Sequence, residues 1–459
     1  MNAKVLNGRE HWASRLGFIL AAAGSAIGLG NIWKFPYITG ENGGGLFVLF
    51  YLLCVLLVGL PIMLAEFVIG RSTQSSPVAA FSELAGEQSA WKLVGWFGVI
   101  SGFIILSYYS VVAGWSLNYL LMSIVDATAG KSPQEISGIF DKLYTSGSLN
   151  IFWHFLFMAI TVGIVLSGVK EGIERWCRTL MPLLFLILAF LLVYGVFSPN
   201  SGFIKAAKFV FAPKIETFTS AGALEALGHA FFTLSLGMGA MLTYGSYLPK
   251  NEDVVKSAFI ITFLDTMVAL LACMVIFPIL FGHGMEPQQG PGLVFKAMPI
   301  IFSNIPGGMI LAILFFALLT FAALSSAISL QEVVSSNFMD RKGWTRKKAT
   351  LITGTAIFII GIPSALAGSG SLLAQWKDIF GKNFFDTMDY LAPNWLLPMG
   401  GFLMAVYVGW IMPRKKLEDE FKSGSKWAAL YPLWLFSIKF IAPLAVLLVL
   451  LYKTGIINL

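Results

Sequence analysis

The sequence predicts an all-α polytopic membrane protein built from two halves of opposite orientation. Three observations carry that prediction. Of the 459 residues, 57% are hydrophobic and 12% charged, against about 25% charged in soluble chains. The apolar residues fall into about eleven runs, each long enough for a helix to cross a hydrocarbon core of about 30 Å. The first and sixth runs are interrupted by glycines near mid-depth, at Gly28 and Gly30 and at Gly237 and Gly239.

The spans read in order as follows. The first covers roughly 14–38 and contains AAAGSAIGLGNIWKFP at 21–36. Glycine weakens a helix without adding a packing side chain. A helix opened there exposes carbonyls at the end of its first half and amides at the start of its second. Lipid satisfies neither group, whereas a cavity holding a cation and a carboxylate satisfies both. The other reading of these glycines is close helix packing by small residues.

After the turn ENGGG at 41–45, the second span covers 46–69 and the third 93–124. A polar loop leads to the fourth, at 151–168, and KEGIERWCR precedes the fifth, at 176–197. There Gly172 and Pro182 mark a helix start prone to unwinding. The sixth span, 221–247, carries the second glycine break. Spans seven to eleven follow at about 254–281, 307–336, 349–367, 383–412 and 428–452.

Each broken span opens a group of five, so the two groups, 12–197 and 221–412, lie in opposite orientation, with 428–452 as an additional C-terminal helix. Matched interruptions in inverted halves are the best sequence pointer to a transporter's binding site. A cytoplasmic N-terminus places about 20 of the 31 Lys and Arg residues on the cytoplasmic side. An odd number of spans then leaves the C-terminus outside. The net charge of +7 is therefore a matter of membrane topology, and no nucleic-acid partner is expected. Cys54, Cys177 and Cys273 lack metal spacing and read as packing residues. The sequence contains no HExxH, no GxSxG and no phosphate loop followed by Lys, the motifs of a membrane enzyme.

At GSAIGLGNIWKFPY, ENGGGLF, FFTLSLGMGAMLTYGSY and FAALSSAISL, the chain resembles the neurotransmitter:sodium symporter family over nearly its whole length. The resemblance implies the known leucine-transporter-type (LeuT) fold, a 5+5 inverted repeat with broken helices 1 and 6. It implies a sodium-driven amino acid symporter of the cytoplasmic membrane, with two sodium ions and no organic cofactor. The first sodium site would use Ala26, Asn31, Thr233 and Asp265 together with the substrate carboxylate. The second would use Gly24, Ile27, Ala322, Ser325 and Ser326. For Ser325 and Ser326, the residues alone favour back-bonding to their own helix.

The resemblance further places the substrate carboxylate near Leu29, Gly30 and Tyr109, and the ammonium near Ala26, Phe232, Thr233 and Ser235. Gly28 belongs to the same site. Ser25, Ile105, Phe232, Met238, Ser326 and Leu330 would line the side-chain subsite, whose apolar character points to hydrophobic or aromatic L-amino acids. An outer gate would pair Lys34 with Asp389. An inner gate would pair Arg9 with Asp340, helped by Trp12 and Tyr247. Most members carry Arg at Lys34, so this outer latch lacks a bidentate fork.

Asp265 stands where chloride-dependent members usually carry Asn, and one bacterial member carries Glu one turn on, where this chain has Ala269. An ionisable residue within a span is costly and functional by default, so Asp265 predicts chloride-independent transport. His229 replaces a usual Gln. Two readings stay open for it, titration linked to transport and a neutral hydrogen-bonded ring. Glu66 and Lys439 lie at membrane depth or its border with no role beyond internal pairing or snorkelling. The rival for the whole chain is a sodium-dependent amino acid sensor, receptor or channel of the same fold, from which accumulation against a gradient distinguishes a symporter.

Overall fold

A computed structural model describes residues 9–213, 219–286, 290, 292–454 and 456. Among these residues the chain is helical, with no strand. The stretches between spans five and six and between seven and eight lie partly outside them. Among the described residues nine helices are long and apolar enough to cross a membrane, and a tenth crossing is the bent pair Arg15–Ala26 and Gly30–Glu41. The sixth span is divided into Ser220–Thr233 and Ala240–Gly245, too fragmented to pass as one apolar helix.

Polar caps set where the helices begin, because the first turn leaves backbone amides without an intrahelical acceptor. The Ser14 hydroxyl accepts from Gly17 N at 2.9 Å at the start of span 1, and Thr219 accepts from Gly222 N at 3.1 Å at the start of span 6. Asp253 and Thr345 do the same for Val254–Gly282 and Arg346–Ala365. The loop helix Pro133–Thr145 carries a full capping box between Ser132 and Glu135.

Span 3, Lys92–Ile124, is the most enclosed of the nine unbroken helices, with 78% of its apolar window buried. Its principal partner is span 8, Gly308–Lys342, and spans 4 and 9 (Gly147–Leu166 and Arg346–Ala365) pack against both. These four form one body. Spans 1, 2, 6 and 7 form another, with Gly45–Thr73 and Val254–Gly282 supporting the broken helices. The two bodies meet at the breaks.

One expectation differs from the structure. Span 5 is wound throughout as Val169–Phe197, beginning with a wide π-helical turn at Val169–Glu174 and continuing through Pro182. Gly168, at φ 89°, sets the corner before it, so the Gly172 and Pro182 pair leaves no unwound segment here. Lys439 stacks its ammonium over Trp410 at 4.1 Å. The three cysteines are buried and free.

Candidate functional site between the broken helices

The two breaks differ in construction. Span 1 opens over residues 27–29: Ile27 is extended, with ψ 100°, and its halves bend by 47°. Gly28 allows Ser326 and Tyr109 to approach, since a Cβ there would lie 2.5 Å from the Ser326 hydroxyl and 2.9 Å from that of Tyr109. Span 6 opens over residues 234–239 through left-handed backbone at Ser235, Gly237 and Gly239. Gly237 has φ 73°, and a side chain there would also strike the Leu397 carbonyl at 2.3 Å.

Ser235 is the non-glycine member of that set, at φ 54°. Such a conformation costs on the order of 1 kcal/mol or more and persists only where the surroundings over-determine it. Its hydroxyl donates to the Ser25 carbonyl at 2.8 Å, tying the two breaks together. Glu66 ties them further to span 2. Its carboxylate, fully buried, accepts from Gly237 N at 2.8 Å and Leu242 N at 3.1 Å. It therefore satisfies one amide within the span 6 break and one in the first turn after it, which is more than the internal pairing expected of it. The signal in the sequence was an acidic residue inside an apolar span.

Between the breaks lies a cavity of about 20 Å³ lined by twelve residues, all among the thirteen expected at the substrate site. It joins Ser25, Ala26, Gly28 and Gly30 of span 1, Ile105 and Tyr109 of span 3, Phe232, Thr233, Ser235 and Met238 of span 6, and Ser326 and Leu330 of span 8. The thirteenth, Leu29, stands just behind, its amide donating to the Tyr109 hydroxyl at 3.1 Å. The volume is roughly that of one water.

Asp265 is fully buried beside the first break. Its Oδ1 accepts from Asn31 Nδ2 at 2.7 Å and from the Thr233 hydroxyl at 3.0 Å, while Oδ2 has no partner among the described protein atoms. The Asn31 oxygen accepts from Gly28 N at 3.0 Å. At the second oxygen cluster the two serines separate. Ser325 donates back to its own helix, to the Phe321 and Ala322 carbonyls. The Ser326 hydroxyl instead faces the Gly24, Ser25 and Ile27 carbonyls at 3.3, 3.0 and 3.5 Å. Ser329, absent from the expected set, donates to the Ser326 carbonyl at 2.8 Å.

Ion pairs close both ends. On one side Lys34 meets both carboxylate oxygens of Asp389 at 3.0 and 3.2 Å. A cavity of about 300 Å³ beside it shares Phe232 with the inner one. His229 lines that larger cavity, stacked on Phe35 with 5.5 Å between centroids. Neither ring nitrogen has a partner among the described protein atoms. On the other side Arg9 meets Asp340 at 2.7 Å and Ser246 at 2.6 Å and stacks over Tyr247 at 4.8 Å. Trp12 donates to the Tyr244 carbonyl at 3.0 Å.

Behind the inner pair stands a group that sequence reasoning missed. Glu332, fully buried on span 8, accepts from the Tyr247 hydroxyl and pairs with Arg346 at 2.7 and 3.1 Å, and Arg346 also meets Glu10 at 3.1 Å. Glu174 accepts from Ala13 N and the Ser14 hydroxyl. The N-terminal end of span 1 is thus held by Asp340, through Arg9, and by Glu174, while Glu10 ties the segment before it to Val169 N and Arg346.

Comparison with known proteins follows the same architecture. A model described as the sodium:neurotransmitter symporter family matches residues 9–134 and 133–458. An uncharacterized sodium-dependent transporter of Bacillus subtilis, YhdH, is 38% identical over 97% of this chain and 98% of its own length. One from Haemophilus influenzae is 35% identical over 96% of this chain and 97% of its own. Among solved structures, MhsT in complex with L-phenylalanine superposes with a TM-score of 0.89 at 45% identity, covering 97% of this chain and 99% of that one.

Proposed function

The chain belongs to the sodium:neurotransmitter symporter family, whose members are sodium-coupled transporters and not enzymes, and we propose that it imports hydrophobic and aromatic L-amino acids without requiring chloride. The observation that carries the substrate class is the lining of the inner cavity, where Ile105, Phe232, Met238 and Leu330 supply the apolar walls. The phenylalanine bound by the similar structure supports the same class. The substrate carboxylate would take the place of the bond between Leu29 N and the Tyr109 hydroxyl, an amide and a hydroxyl at the reopened start of a helix. Its ammonium would face Phe232, Thr233, Ala26 and Ser235.

Sodium is cargo. Hard cations favour carboxylate, carbonyl and hydroxyl oxygens, and two such sets adjoin the cavity. The first would comprise Ala26, Asn31, Thr233 and Asp265, with the unpartnered Asp265 Oδ2 as its charged donor. Asn31 would turn its amide so that the oxygen now facing Gly28 N faces the ion. The second would comprise Gly24, Ile27, Ala322, Ser325 and Ser326, where the Ser326 proton now sits among carbonyls that a cation would gather. A carboxylate built into the first set supplies the negative charge that chloride would otherwise bring.

The transport cycle would rock the bundle carrying broken spans 1 and 6 against the body of spans 3, 4, 8 and 9, opening Lys34 from Asp389 at one end and Arg9 from Asp340 at the other. Because the inner cavity holds only about 20 Å³, an amino acid enters only as Phe232 and Met238 part. The excess of Lys and Arg in the loops on the Arg9 side supports a cytoplasmic N-terminus and an external C-terminus. A competition assay with labelled leucine tests the substrate class. Tryptophan, tyrosine, phenylalanine and methionine should displace the label at least tenfold better than glycine, serine or glutamate. Displacement by the small polar amino acids alone contradicts it.

A further inference from the structure

Ser25, Ser235 and Ser326, from three spans, line one floor of the inner cavity, and Ser329, which does not line it, hydrogen-bonds to Ser25 and Ser326. All are at most 7% exposed. Their protons can be assigned from the distances. Ser329 donates to the Ser326 carbonyl at 2.8 Å, Ser25 donates to the Ser329 oxygen at 2.7 Å, and Ser235 and Ser326 donate to the Ser25 carbonyl at 2.8 and 3.0 Å. A second, longer contact links the Ser25 and Ser235 oxygens at 3.3 Å. Each hydroxyl has one proton and two lone pairs, so every proton on the floor is already committed to protein. What Ser25 and Ser235 turn towards the cavity they line is lone pairs.

We propose that this serine floor is a specificity filter that reads a hydrogen-bond donor on the substrate side chain, favouring a phenol O–H or an indole N–H over a bare phenyl ring. This rests on the amino acid transport proposed above and deepens it. The walls around the floor accept an aromatic ring by shape and apolarity, and those properties do not distinguish tyrosine from phenylalanine. The floor does, because only a side chain carrying a proton gains a bond from it. Phenylalanine is not excluded: the hydroxyls satisfy one another without the ligand, so a phenyl ring forgoes a bond but strands no buried proton. Discrimination is accordingly that of one net hydrogen bond, roughly three- to tenfold, and not the far larger ratio of a site whose own donors would be left unpaired.

Ser25 is the reading residue, and Ser329 is a positioning residue that takes up the Ser25 proton. Without the Ser329 oxygen, the Ser25 proton is free to turn into the cavity, and the floor changes from acceptor to donor. Removing either hydroxyl therefore lowers the preference, but by different routes.

The test uses purified full-length protein in sodium-loaded assays, with labelled leucine as tracer because its side chain carries no donor. Competition by tyrosine, phenylalanine and O-methyltyrosine, and by tryptophan and 1-methyltryptophan, separates the donor from the ring. Tyrosine and tryptophan should compete three- to tenfold better than the three analogues without a donor. The preference should fall towards one in Ser25→Ala. In Ser329→Ala it should fall while O-methyltyrosine gains, and Ser329→Thr should restore it. Equal competition by tyrosine and phenylalanine in the unmodified protein, with leucine transport intact, overturns the filter and leaves the transport reading standing. So does a full preference retained in Ser25→Ala. Absence of sodium-dependent leucine transport and binding overturns both. The ligand comparison in unmodified protein decides the question even if a variant fails to fold.

Discussion

Asp265 and Glu66 are two carboxylates buried in apolar spans, and their partners assign them different tasks. Glu66 spends both oxygens on backbone amides of span 6, which makes it a structural staple. Asp265 keeps one oxygen without a protein partner, which leaves it able to meet an ion. Glu66→Gln should accordingly destabilise the fold, because the new NH2 group would face an amide that it cannot accept from. Stranding a buried donor costs about 1–3 kcal/mol, enough for a measurable drop in the thermal unfolding midpoint in detergent. An unchanged midpoint would remove Glu66 from this role. At this scale the sequence marked both residues as acids within spans but gave a role to Asp265 alone. It did not show which amides Glu66 would meet, because their availability depends on the left-handed turn at residues 235–239.

The broken helices are the elements on which the site depends, and their glycines have local geometric reasons. Gly28 lets a serine and a tyrosine close on the first break, and a Cβ would sit 2.5 Å from one hydroxyl and 2.9 Å from the other. Gly28→Ala should therefore still insert and fold but lose at least tenfold in substrate affinity, measured by leucine binding at saturating sodium. Affinity equal to that of the unmodified protein would mean that the break opens wider than its geometry here. The breaks were legible because glycines recur at matched places five spans apart, and so was the lining, which follows the same motifs. The Tyr247, Glu332 and Arg346 group was not legible, because its members come from three separate elements and only packing brings them together. Span 5 misled for the opposite reason: Gly172 and Pro182 permit unwinding, but a π-helical turn followed by a packed helix absorbs both.

For the whole molecule, the relation between the two bodies matters most. Spans 3, 4, 8 and 9 pack on one another, while spans 1, 2, 6 and 7 carry the breaks and their supports. The pairs Lys34 with Asp389 and Arg9 with Asp340 lie at opposite ends of the path and are both closed, with only a cavity the size of a water between them. A closed state with latches at both ends is what alternating access requires between its two open forms, and neither a channel nor a simple receptor needs both. Thr233 both lines the cavity and contacts Asp265, so an ion held at the proposed first sodium site would be coupled to that cycle. The most direct test is uptake of labelled leucine into proteoliposomes under an inward sodium gradient, with chloride present or replaced by gluconate. Accumulation above the external concentration, at the same rate in both anions and abolished when potassium replaces sodium, is the predicted result. Uptake that collapses in gluconate would contradict the role given to Asp265, and sodium-dependent binding without accumulation would contradict the symporter itself.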